Sequence, residues 1–175
     1  MPREGVKPLS AKEVAVEIRG QLKRAFPGQK FSVRSKSFAG GSSVDIEWTD
    51  GPLTEQVNKV IGRWERRGFD GMTDSTFYRD PVEWQGELVM THCFVMCQRS
   101  WSLEYTRQRY EATLKKWGLT NAYEEKSYIS SGVEHRYLMA TPELDQESKR
   151  KGSRWFDSLA HADEQEECVL RLQSY

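Results

Sequence analysis

The sequence lacks the long hydrophobic runs and the cysteine pairs that define several protein classes. Its longest apolar stretch, Leu88–Cys97, is about half of the roughly 20 residues that cross a bilayer, so we expect no membrane partner. The first residues, MPREGVKP, lack the apolar core of a signal peptide. Three cysteines, an odd number, make no disulfide framework and suit a reducing compartment. These absences predict a soluble, cytoplasmic protein.

Signatures of common enzymes are also absent. The chain has no G-x-S-x-G elbow, no Gly-rich phosphate loop ending in Lys-Ser or Lys-Thr, and no H-E-x-x-H zinc signature. The segment Gly40–Ser43 has the composition of an anion-binding nest, but it lies between two predicted strands and fits a hairpin turn better. We therefore predict a non-enzymatic protein without a cofactor.

Two clusters of potential metal ligands have simpler structural interpretations. Cys93 and Cys97 would lie about 13 Å apart on one face of a strand, which is too far for one ion. In a helix the two thiols would come within reach, but His92 would face elsewhere. Asp70 and Asp74 are spaced as in some calcium loops, yet the later acidic ligands of such loops are missing. We predict core cysteines, turn-forming aspartates and no metal site.

What the chain does contain is enough apolar sequence for a packed core. Its 175 residues are 37% hydrophobic, which suits one domain or two small ones. Collagen, coiled-coil and wholly disordered classes are excluded on the same grounds.

The first seventy residues predict the order helix, strand, strand, helix. Ser10 and Glu13 have capping-box spacing at the start of a helix that Pro27 ends. Two segments with a two-residue period, around Val33 and Ile46, predict half-buried strands joined by the Gly40–Ser43 turn. The second helix then has Asp50 or Thr54 as its cap and ends near Gly68; its apolar positions are Val57, Val60, Ile61 and Trp64.

The rest of the chain repeats part of this order. We predict a loop at 69–86, a core strand at 88–97, a helix from Ser102 to Gly118, strands at 123–129 and 133–139, and a short helix near 155–161. The acidic segment Asp163–Glu167 is expected to be a solvated helix face or a frayed end. Together these elements predict an α+β fold of small antiparallel sheets packed by helices. The repeated helix-strand-strand order suggests two lobes, residues 1–80 and 81–175.

Charge is unevenly distributed although the net charge is zero. Residues 1–40 hold nine Lys or Arg against three Glu, and the remainder is correspondingly acidic. This basic part either meets a polyanion or faces the acidic part of the same protein. In the predicted hairpin, Arg34 and Lys36 share a face with Asp45 and Glu47, so cross-strand pairs would neutralise that face.

Two sets of side chains remain as candidate binding residues. Cations outside the hairpin are candidates for polyanion binding: Arg19, Lys23, Arg24, Arg63, Arg66 and Arg67. Aromatic residues are candidates for contact with a protein partner: Trp84, Trp101 and Tyr128.

One long string of residues resembles a known family. The segment Lys30–Pro52, with its S-V-R-S, GGSS and W-T-D-G-P motifs, is followed by Phe69–Met72, Asp74 and Tyr78-Arg79. This pattern resembles the large polyvalent protein-associated domain of type twenty-nine over about residues 10–80. The resemblance implies a protein carried by phages, plasmids or conjugative elements, and it carries over no catalytic residues.

Two functions fit this context. The first is a stoichiometric inhibitor of a host defence protein, for example an anti-CRISPR or anti-restriction protein. The second is a DNA- or RNA-binding accessory protein for transfer, replication or maintenance of the element. Exposed aromatics would favour the first, and an exposed, contiguous cation patch would favour the second.

Overall fold

The computed structural model describes residues 5–120, 122–153 and 155–173. The described residues form ten strands: β1 (Val6–Leu9), β2 (Ser32–Phe38), β3 (Gly41–Thr49), β4 (Arg67–Asp70), β5 (Ser75–Tyr78), β6 (Val82–Trp84), β7 (Glu87–Thr91), β8 (Phe94–Ser100), β9 (Tyr123–Ser130) and β10 (Val133–Ala140). They also form five helices: α1 (Ala11–Ala25), α2 (Thr54–Ile61), α3 (Leu103–Trp117), α4 (Pro142–Arg150) and α5 (Phe156–Gln173). Helices mixed with several small sheets make this an α+β fold, which confirms the predicted class. Among the described helices, none is long and apolar enough to cross a membrane.

The chain divides into two compact units, Met1–Ser100 and Trp101–Tyr175. The sequence had suggested a division near residue 80. Strands β6, β7 and β8 follow that point but belong to the first unit, because β7 pairs with β1 and β8 pairs with β3. The first unit therefore includes about 20 residues more than the predicted lobe.

The first unit is built on the sheet β2-β3-β8, in which β3 is central. β3 runs antiparallel to β2 and parallel to β8, so this sheet is mixed rather than antiparallel throughout. Alternate residues of β3 are buried on one face, as their two-residue period predicts. The core cluster on that face includes Val14, Ile18 and Leu22 of α1, Val57 and Ile61 of α2, and Val44, Ile46 and Trp48 of β3.

The two helices of this unit begin with different kinds of cap. At α1 the Ser10 hydroxyl accepts the Glu13 N–H at 3.3 Å, and the Glu13 carboxylate accepts the Ser10 N–H at 2.8 Å, which confirms the capping box. At α2 the cap differs from the prediction. Leu53 is the N-cap residue, and its N–H donates to the Gln56 side chain at 2.8 Å.

The second unit is a hairpin of β9 and β10 with helices α3, α4 and α5. Its core cluster consists of Tyr110, Leu119, Leu138, Ala140, Leu144, Phe156, Leu159 and Ala160. Helix α3 begins at the N-cap Ser102 and ends at Gly118, whose φ of 61° is left-handed, as the sequence indicated.

Several predicted segments differ from the structure. The second helix, expected to end near Gly68, ends at Ile61, and the short helix expected near 155–161 is the longer α5. Residues 69–86, predicted to be a loop, contain β5, β6 and the end of β4, because short, polar strands carry little periodic signal. The single strand predicted at 88–97 is two strands, β7 and β8, interrupted at His92 and Cys93. The acidic segment lies within α5, and its first two residues, Asp163 and Glu164, are buried rather than solvated.

Candidate binding surfaces

Helix α1 carries an exposed row of cations. Lys12, Arg19 and Lys23 are spaced seven and four residues apart, which places them along one face, and Arg24 is exposed beside them. Arg19 also donates from Nη2 to the carbonyl of Val33 at 2.6 Å. Within the described chain, none of these four side chains takes part in an ion pair. We call these four residues the α1 basic row.

The three predicted arginines near residue 65 are used differently. Arg66 and Arg67 are half-buried, and their guanidinium groups donate to backbone carbonyls, among them Gly62 for Arg66 and His92 for Arg67. Arg63 is exposed but lies 5.4 Å from the ring of Trp84. Arg66 and Arg67 therefore hold loops and strands in place, whereas Arg63 and the α1 basic row are exposed.

Arg67 is also surrounded by aromatic rings. Its guanidinium lies 4.3 Å from the ring centre of Phe94 and 5.9 Å from that of Tyr78. A Cβ added at Gly41 would lie 2.5 Å from Arg67 Nη1, so any larger residue there would displace the guanidinium from this position. The guanidinium of Arg67 thus packs against aromatic rings and is not available to a ligand.

On the outer face of the sheet β2-β3-β8, basic side chains of β2 lie near acidic side chains of β3. Arg34 lies opposite Asp45, and Ser32 opposite Glu47. Lys36 forms a 2.5 Å ion pair with Asp45, and this hydrogen bond lowers the pKa of Asp45. The predicted cross-strand neutralisation is therefore observed for Lys36, through a diagonal pair.

An open cleft of about 940 Å³ lies at one end of this sheet. Its lining combines hydroxyl and amide groups with one cation, one anion and two rings: Gly28, Gln29, Lys30, Phe31, Ser32, Glu47, Trp48, Thr49, Gln98 and Ser100. Gln29 is held in place because its amide donates to the carbonyl of Thr49 at 3.1 Å. The cleft can supply hydrogen bonds but concentrates no charge of one sign.

Two of the three predicted partner-binding aromatics are mainly structural. Trp84 is half-buried and packs edge-on against Trp64, with ring centres 5.0 Å apart. Trp101 is half-buried in the second unit and stacks on His161 at 3.7 Å. Both rings contribute to a core cluster, so little of either is available to a partner.

Tyr128 is the exception, because it stands on an exposed aromatic surface. It is 54% exposed on β9, and its cross-strand partner His135 stacks on it with ring centres 5.0 Å apart. Tyr137 lies on the same face, with its ring 6.0 Å from that of Tyr128. Leu138, on the opposite face, is buried. We call Tyr128, His135 and Tyr137 the hairpin aromatic surface.

His135 and Tyr137 were not among the predicted site residues. The signal was present in the sequence, because the Ser130–Gly132 turn fixes a register in which His135 faces Tyr128. Alternation then places Tyr137 on the same side. Neighbouring charges on this face are paired with each other, as Lys126 lies 3.2 Å from Glu124.

The residues considered as metal ligands have structural roles. Cys93 is buried and Cys97 half-buried, and burial raises the pKa of the Cys97 thiol to about 11. The Asp70 carboxylate accepts the Met72 N–H and the Thr73 hydroxyl, each at 2.9 Å, which lowers its pKa. Among the described residues, no group of three or more potential ligands is close enough to hold a metal ion.

The fold is α+β, with an exposed sheet face in the first unit and an exposed hairpin face in the second. The model of one family, large polyvalent protein associated domain 29, matches residues 9–110, which is more than half of the chain. The chain therefore belongs to this family, and the match continues about 30 residues beyond the segment that carries the resemblance, into α3. Membership associates the protein with mobile genetic elements. Comparison with curated proteins found no match, and neither did comparison with solved structures.

Proposed function

We propose that this protein is a non-enzymatic, cytoplasmic inhibitor that binds a host defence protein, for example a CRISPR effector or a restriction system, in a stoichiometric complex. The observation that carries the proposal is the hairpin aromatic surface. Exposed tyrosines on a rigid strand pair are the residue type that dominates binding energy in protein interfaces. Their neighbouring charges are paired, so the surface offers aromatic contact without a net charge.

The sequence carries none of the common enzyme signatures, which supports binding without catalysis. Family membership supports the setting, because a protein of a mobile element meets host defence in the cell it enters.

The test is a defence assay in cells that express the chain. Cells carrying a CRISPR or restriction system are challenged with a phage or plasmid target, and the surviving target is counted. The proposal expects protection of the target by the wild type and loss of protection in Tyr128→Ser/Tyr137→Ser. Val16→Ala, which truncates an exposed apolar residue on α1, is the control and should protect fully. Failure to protect against every system tested would contradict the proposal.

A second function is favoured by a separate observation, the α1 basic row. Exposed cations without carboxylate partners can release counterions from a nucleic acid. The chain would then be a DNA- or RNA-binding accessory protein of the element. This reading is weakened by Arg66 and Arg67, whose guanidinium groups bind backbone carbonyls.

Salt dependence separates the two functions. Binding to short single- and double-stranded DNA and RNA is measured at about 50 and about 200 mM salt, over which many phosphate contacts would lower affinity by about 10³. Under the second function, Arg19→Glu/Lys23→Glu should abolish that binding, while Tyr128→Ser should leave it unchanged. Absence of binding at the lower salt would exclude the second function.

A further inference from the structure

A groove runs along strand β8 in the first unit. Its volume is about 420 Å³, within the range of ligand pockets. One wall is helix α2 with the turn after it, contributing Asn58, Ile61 and Gly62; the other is β8. The groove is thus bounded by a helix on one side and a sheet strand on the other.

Strand β8 is an edge of its sheet. In the order β2-β3-β8 it pairs only with β3 among the described strands. The outward peptide groups of an edge strand are matched by the backbone of one further extended chain, and a groove beside such an edge is where peptides add as strands. Met96, in the middle of β8, lines the groove and is 59% exposed, so the groove opens to solvent along this strand.

Apart from one ion pair, the groove is lined by uncharged residues. Its two charged residues, Glu65 and Arg79, form an ion pair with each other at 3.4 Å. Cys97 stays a protonated thiol, because burial raises its pKa to about 11. Val95 and Ile61 supply apolar surface. A complementary occupant therefore has uncharged side chains where it faces the groove, since a charge there would lose water without gaining a partner.

We propose that an extended, uncharged segment of the partner protein adds to β8 as a fourth strand and places a side chain in the groove between β8 and α2. This inference rests on the proposed function only in taking the occupant to be a segment of the inhibited protein. In this proposal the partner's main chain pairs with β8 of the first unit. The hairpin aromatic surface of the second unit is a separate contact.

Gly62 provides a variant that blocks the groove. Gly62 lines the groove, a Cβ there would meet no atom within 4 Å, and its φ of −58° suits any residue, so Gly62→Phe adds a ring at the groove wall without backbone strain. Gly71→Phe is the matched control, because its Cβ also meets nothing within 4 Å and Gly71 does not line the groove. Asn58→Trp narrows the same groove from α2 and replaces Gly62→Phe if that variant does not fold.

The experiment uses a displayed library of random linear peptides of about 12 residues, about twice a typical strand, selected against the full chain. We expect enriched peptides with an alternating, uncharged pattern, and shifts of the backbone amide signals of β8 when one is added. Their affinity should fall by about tenfold or more in Gly62→Phe and change less than about twofold in Gly71→Phe.

Three results would overturn the inference. They are the enrichment of no peptide, equal binding to Gly62→Phe and wild type, and a dimer in solution that Gly62→Phe dissociates, which would make a second copy the occupant. The peptide assay contains no host protein. If peptides bind in the groove but the cells keep their defence, the proposed function fails while the groove stands.

Discussion

Lys116 binds two carboxylates of α5 that differ sharply in exposure. Its ammonium lies 2.8 Å from Asp163, whose side chain is 4% exposed, and 2.7 Å from Glu166, whose side chain is 63% exposed. Asp163 also accepts the indole N–H of Trp117 at 2.9 Å. The buried carboxylate thus holds two donors of α3, whereas the exposed one competes with water for a single partner.

We therefore predict that Asp163→Ala lowers the free energy of unfolding by about 1–3 kcal/mol, because the Trp117 N–H loses its acceptor. Glu166→Ala, at the same lysine, should cost less than about 1 kcal/mol. Urea denaturation of both variants measures the difference. Equal costs would show that Asp163 contributes no more than a surface ion pair.

Asp45 gives a prediction about pH. Its pKa is lowered by the hydrogen bond from Lys36, so this pair contributes stability above the usual aspartate pKa and loses it as pH falls through the lower, folded value. In Lys36→Gln the pKa of Asp45 should rise towards its usual value, and the stability lost between pH 7 and pH 3 should decrease by about 0.2–1 kcal/mol. Carbon NMR of the Asp45 carboxyl measures the first effect and urea unfolding at the two pH values the second. An unchanged Asp45 pKa would show that Lys36 does not set it.

For single residues, the sequence predicted which side chains pair across the hairpin better than it predicted which side chains are exposed. The parity of β2 and β3 was enough to place Lys36 on the same face as Asp45. The exposure of Arg67, Trp84 and Trp101 was not predictable, because each contacts residues distant in sequence. Asp163 and Glu164 were misjudged for the same reason, since their partners lie on α3.

Among the elements, helix α1 depends on its cap. Ser10 and Glu13 satisfy each other's backbone N–H groups, whereas Ser102 at α3 accepts the Tyr105 N–H at 3.1 Å without a reciprocal glutamate. We predict that Ser10→Ala lowers the free energy of unfolding by about 1 kcal/mol and raises hydrogen exchange within residues 1–100.

Ser102→Ala is the counterpart in the second unit. It should cost a similar amount and raise exchange within residues 101–175. Exchange followed by mass spectrometry locates each effect. If either variant loosened both ranges equally, the two units would unfold as one, contrary to their division after Ser100.

Elements whose apolar residues recur at a regular helical or strand spacing were predictable, and elements without that spacing were not. Helix α1 and the β2–β3 hairpin follow directly from apolar spacing and the Gly40–Ser43 turn. Strand β5 has every residue exposed, so its composition carries no alternation to detect. The parallel pairing of β8 with β3 left no local signal either, because it joins segments about 50 residues apart.

For the whole molecule, the sheet pairings predict where the first unit can be cut. A fragment of residues 1–100 contains every strand of its three sheets, while a fragment of residues 1–80 lacks β6, β7 and β8 and leaves β1 without its partner. We expect the longer fragment to unfold cooperatively on heating and the shorter one to show no cooperative transition. Calorimetry of both fragments is the measurement. Cooperative unfolding of residues 1–80 would show that the late strands are dispensable.

The family was recognisable from motifs between residues 30 and 80, but the binding surfaces were only partly predictable. Tyr128, Arg19, Lys23 and Arg24 are exposed, and their roles as binding residues remain predictions. The β8 groove was not predicted, because its two walls, α2 and β8, were assigned to different lobes.

The central position of β3 also has a consequence for the time course of folding. Its partner β2 is available a few residues earlier in the chain, but its partner β8 is the last strand of the unit to leave the ribosome. Closing so long a loop costs chain entropy before any contact compensates it, which makes such pairings slow. During synthesis the β8 side of β3 therefore stays unpaired until residue 100 has emerged, and this interval is when the nascent chain is most exposed to mispairing and to chaperones.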